Sequence, residues 1–179
     1  MFHVTERLLL RPAWPEDAEA LTRGIADRGV VRNLATAPWP YFLDDAQEFI
    51  AMGQDARVPA FLLTLPGAHG SQIIGGAGLG RCEDGVEIGY WIARPYWGRG
   101  YATEAARGVI EVARSLGYRT LSGGHFADNP ASGKVLRKLG FVPTGRTAMR
   151  HSCARGEETE CVMYTMDLEA GEGPTRQAA

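Results

Sequence analysis

Trp97-Gly98-Arg99-Gly100-Tyr101-Ala102-Thr103 joins a stretch that alternates like a strand to one that repeats like a helix. Upstream, Val86, Ile88, Tyr90 and Ile92 fall on one face of an extended segment, with Glu87, Gly89 and Trp91 on the other. Downstream, Ala102, Ala105, Ala106, Val109, Ile110, Ala113 and Leu116 recur at helical spacing. Glu104, Arg107, Glu111 and Arg114 take the opposite side, and Gly117 supplies a stop. The first N–H groups of a helix lack intrahelical partners and lie at the positive end of its dipole, so a phosphorylated ligand can complete them. In a chain with 23 glycines the Gly-x-Gly-x-Ala spacing alone suits a plain turn equally well. The flanking strand and helix give it the order that an anion-binding loop requires.

Working outward, Leu8–Arg11 reads as a first strand stopped by Pro12, residues 15–26 as a helix, and residues 44–56 as a second helix. Strands are predicted at residues 60–65, 73–80 and 86–92, separated by Pro66-Gly67 and Glu83-Asp84-Gly85 turns. After the long helix come a strand at 120–126, a helix at 130–139 and closing strands near 141–150 and 160–168. This order predicts a single α/β (α+β) domain over residues 1–168, with a mixed sheet of about six or seven strands and about four helices. A doubly wound nucleotide-binding sheet is the rival. Residues 169–179 have no apolar face to bury and read as a mobile tail.

At 179 residues and 45% hydrophobic content the chain can bury a sizeable core, which excludes disordered and fibrous classes. A net charge of −2 provides no field for tracking nucleic acid. The longest apolar stretch, near Ala60-Phe61-Leu62-Leu63, is too short to span a bilayer, and the N-terminus lacks a secretory pattern, so the expected compartment is the cytoplasm. Cys82, Cys153 and Cys161 are odd in number and lack C-x-x-C spacing, so neither disulfides nor a metal site is expected.

A second constellation runs from Asn129 to Phe141. Asn129 is placed as an N-cap, Pro130 at the first helical position, and Gly140 just past the last turn. Capping uses the side-chain oxygen of Asn129 and leaves its amide N–H₂ free to donate to a ligand carbonyl. Ser132 reads either as a first-turn residue facing solvent or as a hydroxyl donor at a reacting centre. Pro38-Trp39-Pro40-Tyr41-Phe42 reads either as core packing or as the wall of a pocket.

Together, Tyr90-Trp91-Ile92 with Tyr96-Trp97-Gly98-Arg99-Gly100-Tyr101-Ala102-Thr103-Glu104-Ala105, and Asn129-x-x-Ser132 through Leu139-Gly140-Phe141, resemble the two signature motifs of the GNAT superfamily of acyl-CoA-dependent N-acetyltransferases. Thr5-Glu6-Arg7-Leu8-x-Leu10-Arg11-Pro12, followed by Asp17-Ala18, resembles its RimJ/RimL branch, which acetylates N-terminal amines of ribosomal proteins and includes relatives acting on small amines. The resemblance covers about residues 5–168. It implies a mostly antiparallel sheet splayed after the fourth strand, with acetyl-CoA as acyl donor, no metal, and a primary amine as acceptor. A strand edge near the C-terminus leaves room for a homodimer.

By this resemblance, backbone N–H groups from Trp97, Gly98, Arg99, Gly100, Tyr101, Ala102 and Thr103 would hold the CoA pyrophosphate, with charge from Arg99 and Arg94. Trp97 stands where the family often has a polar side chain, so the loop relies on its backbone. Trp91, Ile92 and Ala93 would pair with the pantetheine arm and offer an oxyanion N–H, and Asn129 would meet the arm from the other side. Many relatives protonate the leaving thiolate with a tyrosine where this chain has Leu136. Ser132 is then the substitute donor, and Tyr101 a weaker one. Glu87 is the candidate base, readable equally as an ordinary surface carboxylate, with His125 and Asp128 as further candidates. Trp39, Tyr41 and Phe42 would line the acceptor pocket. The alternative is a catalytically idle acyl-CoA-binding or regulatory module, suggested by Leu136.

Overall fold

A computed structural model of the chain describes residues 1–53, 55–67, 70–83 and 85–169. The elements run β1 (His3–Val4), β2 (Leu9–Arg11), α1 (Ala18–Ile25), α2 (Arg28–Val31), α3 (Leu43–Ala51), β3 (Ala60–Leu65), β4 (Gln72–Cys82) and β5 (Gly85–Ile92). They continue with α4 (Tyr101–Ser115), β6 (Thr120–Phe126), α5 (Pro130–Lys138), β7 (Val142–Ser152) and β8 (Glu157–Asp167). One eight-stranded sheet is ordered β1-β2-β3-β4-β5-β6-β8-β7. All its pairs are antiparallel except β5 with β6, which excludes the doubly wound rival.

That parallel pair is short. Its register runs only through Glu87 opposite Ser122 and Ile88 opposite Gly123, after which β5 and β6 diverge. The splay expected after the fourth strand therefore follows the fifth, because the short β1 adds a strand ahead of the first one predicted. A one-turn α2, also unanticipated, starts where the Asp27 side chain accepts the N–H of Gly29. The second helix spans Leu43–Ala51 rather than 44–56. Asp84, His69 and the tail from 170 to 179 lie outside the described residues.

Two apolar clusters sandwich the sheet. On one face α4 buries Ala105, Ala106, Val109, Ile110, Val112 and Ala113 against Ile74, Ile88, Ile92 and Leu121. Fully burying each Val or Ile contributes about 1.5–3 kcal/mol. On the other face α1, α2 and α3 bury Leu21, Ile25, Val30, Val31 and Ala46 with Leu62, and Trp91 and Ala154 pack against them. The strand alternation thus assigns the faces correctly: Val86, Ile88 and Ile92 turn to α4, while Trp91 turns to α1.

The N-terminal signature has a structural reason. Arg11 and Asp17 form a bidentate pair at 2.6 and 2.7 Å, each side chain 9% exposed, and Asp17 also accepts the Trp14 N–H at 2.8 Å. Burial pushes the Asp17 carboxyl up, but the Arg11 and Trp14 hydrogen bonds outweigh it and hold the group below its usual value. The pair ties β2 to the start of α1.

Candidate active site

Gly98 and Gly100 adopt φ of +74° and +82°, and Gly100 is the N-cap of α4. A Cβ on Gly98 would meet nothing within 4 Å, so it is the backbone angle, not crowding, that calls for glycine there. Arg7, between β1 and β2, braces this turn. Its Nη1 donates to the Arg99 carbonyl at 3.1 Å, its Nε and backbone N–H donate to Glu104 at 2.7 Å each, and its guanidinium lies 4.4 Å over the Tyr101 ring. Thr5 Oγ1 adds a 2.6 Å bond to Glu104. Burial raises the Glu104 carboxyl, yet the Thr5 and Arg7 donors bring it below its usual value. A cleft of about 300 Å³ beside Gly100 is lined by Arg7, Arg107 and Lys138, by the acidic Glu6 and Glu104, and by Thr103. Arg99 stacks 5.8 Å over the Tyr96 ring, while Arg94 pairs with Asp27 at 3.4 Å.

Beyond Ile88 the β6 side of β5 is unpaired. The Ala93 N–H donates to the Ile74 carbonyl at 2.8 Å, so by alternation the peptide groups of Trp91 and Ala93 face β4, and those of Tyr90 and Ile92 face the opening. Of the three expected pantetheine partners, only Ile92 therefore presents its backbone to the wedge. The Trp97 indole donates to the Ile92 carbonyl at 2.6 Å, which fixes the glycine turn to the strand end.

Across the opening, Asn129 Oδ1 caps α5 by accepting the Ser132 N–H at 3.4 Å, and its Nδ2 makes no hydrogen bond among the described residues. The Tyr90 hydroxyl lies 2.9 Å from Ser132 Oγ and donates to the Ser132 carbonyl at 3.1 Å. It is the link that spans the wedge. Burial pushes the Tyr90 hydroxyl up to about 12, against the Ser132 hydrogen bond, so it remains a neutral donor. Leu136 is 1% exposed and packs on Gly123, an apolar core position. Tyr101 is buried under Arg7, edge-on to Tyr96, away from the wedge.

Glu87 projects from the face opposite Ile88 and Tyr90, where both its oxygens accept from Arg150 Nη1 at 2.8 and 2.7 Å. Its place in the register, opposite Ser122, is before the strands part. Asp128 receives Arg155 through two bonds at 2.8 and 3.0 Å and Arg32 at 2.5 Å. The Arg155 guanidinium, with Arg32 behind it, holds the Asp128 carboxyl below its usual value. His125 Nδ1 donates to the Phe126 carbonyl at 2.8 Å, and its Nε2 is turned toward α5. A Cβ on Gly133 would come within 2.5 Å of that Nε2, so His125 is packed beneath α5.

The aromatic segment divides. Tyr41 is buried among α1–α3, and its hydroxyl is pushed up to about 12 by burial and by Asp45, whereas Trp39 and Phe42 are exposed. Asp45 caps α3 by accepting the Phe42 N–H at 2.6 Å. A cavity of about 450 Å³ on this face is lined instead by Arg28, Gly29, Arg32, Ala154, Arg155 and Glu157. Among the described residues the cysteines are free and no cluster of His, Cys, Asp or Glu is placed to hold a metal ion. No described helix is long and apolar enough to cross a membrane.

Sequence reading names Arg7 and Tyr90 only as motif residues, without a role, and passes over Arg150 and the arginines of the cavity. Tyr90 was within reach, since its alternation places it beside Ile92 on the α5 side of the strand. Arg150 and Arg155 reach their partners over 63 and 27 residues of sequence, and no local pattern marks them.

Comparison with known proteins agrees with this fold. Uncharacterized N-acetyltransferase p20 of Bacillus licheniformis is 28% identical over 168 residues, covering 90% of this chain and 93% of that protein. A GNAT-family acetyltransferase from Bacillus anthracis superposes with a TM-score of 0.78 at 24% identity, covering 94% of this chain and 99% of the other. RimL, a ribosomal alpha-N-protein acetyltransferase solved with coenzyme A, gives 0.76 at 17% identity, covering 95% and 99%. The acetyltransferase (GNAT) domain family matches residues 7–142, which hold the Arg7 brace, the glycine turn, the wedge and α5. This chain belongs to the GNAT acetyltransferases.

Proposed function

We propose that the chain, acting as one domain over residues 1–168, transfers an acetyl group from acetyl-CoA to a primary amine by direct attack within a ternary complex. The observation that carries this reading is the wedge between β5 and β6. One wall offers the Ile92 N–H, whose own carbonyl is taken by the Trp97 indole, the other offers Asn129 Nδ2 and the Tyr90–Ser132 pair, and the glycine turn stands at its end. The loop from Trp97 to Thr103 would take the CoA pyrophosphate on its N–H groups, with Arg107 and Lys138 supplying positive charge nearby and Arg7, paired with Glu104, bracing the turn. The coenzyme A in the RimL neighbour and the Thr5–Arg11 signature support this donor and the RimJ/RimL branch. Free cysteines suit a reducing, cytoplasmic compartment.

In the reaction the neutral amine nitrogen attacks the thioester carbonyl carbon. A C–N bond forms, the C–S bond breaks with its electron pair leaving on sulfur, and the proton that nitrogen sheds as the amide forms is taken up by the thiolate. The Ile92 N–H would meet the oxyanion, and Ser132 Oγ, held by Tyr90, would donate a hydrogen bond to the departing sulfur. An N-terminal amine has a pKa of ~8 and a lysine ~10, so a proton must be removed before attack. Glu87 would receive it through water, with Arg150 fixing the carboxylate.

The second reading, an idle acyl-CoA binder, draws on Leu136, which is buried and has no proton to give. Acetyl-CoA affinity measured beside thiol release over peptides, amino acids, polyamines and aminoglycosides separates the two. Amine-dependent thiol release supports transfer. Tight binding with no release for any amine, unchanged in Ser132→Ala and Glu87→Gln, supports the idle module.

A further inference from the structure

The 450 Å³ cavity is of a size that suits a small molecule. Its position is set by both sides of the wedge. Gly29, on one wall, lies against the β5 end: a Cβ there would sit 3.6 Å from both the Trp97 ring and Arg94 Nη1, and Trp97 is itself bonded to Ile92. On the other wall, Arg155 and Arg32 grip Asp128, the residue before the Asn129 cap at the β6 end. Ala154 packs with the α1–α3 cluster, so the cavity lies across the sheet from α4 and the glycine turn. It therefore faces the reacting centre from the side the donor does not occupy.

Half of the six lining residues are arginines, and one of them is held firmly in place. The Arg155 side chain is only 11% exposed, and its Nε donates to the Arg32 carbonyl at 2.8 Å, which fixes the guanidinium in place. Arg155 and Arg32 share the single carboxylate of Asp128, and Arg28 has no carboxylate partner among the described residues. Glu157 is the one acidic residue on the wall. The three guanidinium groups outnumber the carboxylates of Asp128 and Glu157 by one, so the wall favours an oxyanion over a further cation, and a molecule carrying an oxyanion beside its amine matches the arginines with one end and Glu157 with the other.

We infer that this cavity receives the acceptor, and that the acceptor is a small amine carrying a carboxylate or phosphate a few bonds from its nitrogen. This rests on the acetyl-transfer reading above. Arg28 is the contact available to the ligand without breaking an existing ion pair.

The test uses matched acceptors with the intact protein: an amino acid against its amide, and 2-aminoethyl phosphate against ethanolamine. Wild type favours the anionic member of at least one pair by about tenfold or more in kcat/KM, the scale of one charge-assisted hydrogen bond, and the two pairs show which oxyanion is taken. Arg28→Glu, at an exposed position, lowers that preference by about tenfold. Equal rates for the neutral members, or a preference that survives Arg28→Glu, would overturn the inference. Calorimetric titration of the same compounds into CoA-loaded protein reads the contact without turnover. If nothing is acetylated but the anionic member still binds tenfold tighter, and Arg28→Glu removes that margin, the transfer reading fails and what stands is the cavity's recognition of an anionic amine. If neither is seen, both fall.

Discussion

Gly100 and Gly117 bracket the same helix at nearly the same left-handed angle, φ +82° and +81°, and only Gly100 stands at the donor loop. A Cβ at Gly117 would meet nothing within 4 Å, and one at Gly100 would come no nearer than 3.5 Å to Arg7 Nη2, an ordinary contact. Replacing either by alanine therefore costs the same backbone strain, about 1–2 kcal/mol. In a domain of this size that lowers Tm by roughly 2–8 °C. The effects on donor binding differ. At Gly117 the strain is remote from any ligand. At Gly100 it is relieved by rotating the turn, which misdirects the N–H groups that open α4. Losing one or two charge-assisted hydrogen bonds at about 1.5–3 kcal/mol each weakens acetyl-CoA binding by roughly tenfold to a thousandfold or more. Calorimetric titration with acetyl-CoA, paired with thermal melts, reads both quantities. If the two variants melt alike and Gly100→Ala binds within about twofold of Gly117→Ala, the turn is only a turn.

Tyr90→Phe removes the hydroxyl that spans the wedge, at a cost of about 0.5–1.5 kcal/mol. It lowers kcat by roughly two- to tenfold with the acetyl-CoA KM nearly constant, and in Ser132→Ala the same change has no further effect, as steady-state thiol release will show. Asp17→Asn leaves Arg11 buried without its charge partner, so denaturant unfolding should report a loss of about 3–5 kcal/mol. Asp17, Glu104 and Asp128 are all depressed in the folded state. Their contribution to stability is complete above the ordinary carboxylate range and is lost as pH falls through their folded values, so melts in the range below about pH 4 should drop steeply, less so in Asp17→Asn. Glu87→Gln lowers kcat most at pH values well below the acceptor's pKa and least above it, where the amine is already neutral; a uniform loss across pH would mark a structural role.

The sheet was legible wherever local pattern was enough. The alternation of residues 86–92 assigned both faces of β5, and the caps at Asn129 and Gly140 bounded α5 to within a residue. Thr120–Phe126 and Ala60–Leu65 fall where hydrophobic runs and turn residues placed them. What escaped depends on pairing over distance. Arg7 reaches Glu104 across 97 residues and Arg150 reaches Glu87 across 63, and a solitary arginine has no periodicity to betray its partner. The α2 turn escaped because it is a single turn set by one Asp27 cap. Tyr41 was ambiguous because an aromatic suits a core and a pocket equally, and only its burial distinguishes them.

A crystal structure of this chain with CoA asks the central question most directly. The expected result is a pyrophosphate on the N–H groups between Trp97 and Thr103, with the pantetheine arm in the wedge between Ile92 and Asn129 and the thiol close to Ser132 Oγ. CoA bound elsewhere, or a wedge that stays shut by the Tyr90–Ser132 link with the turn unliganded, would contradict it.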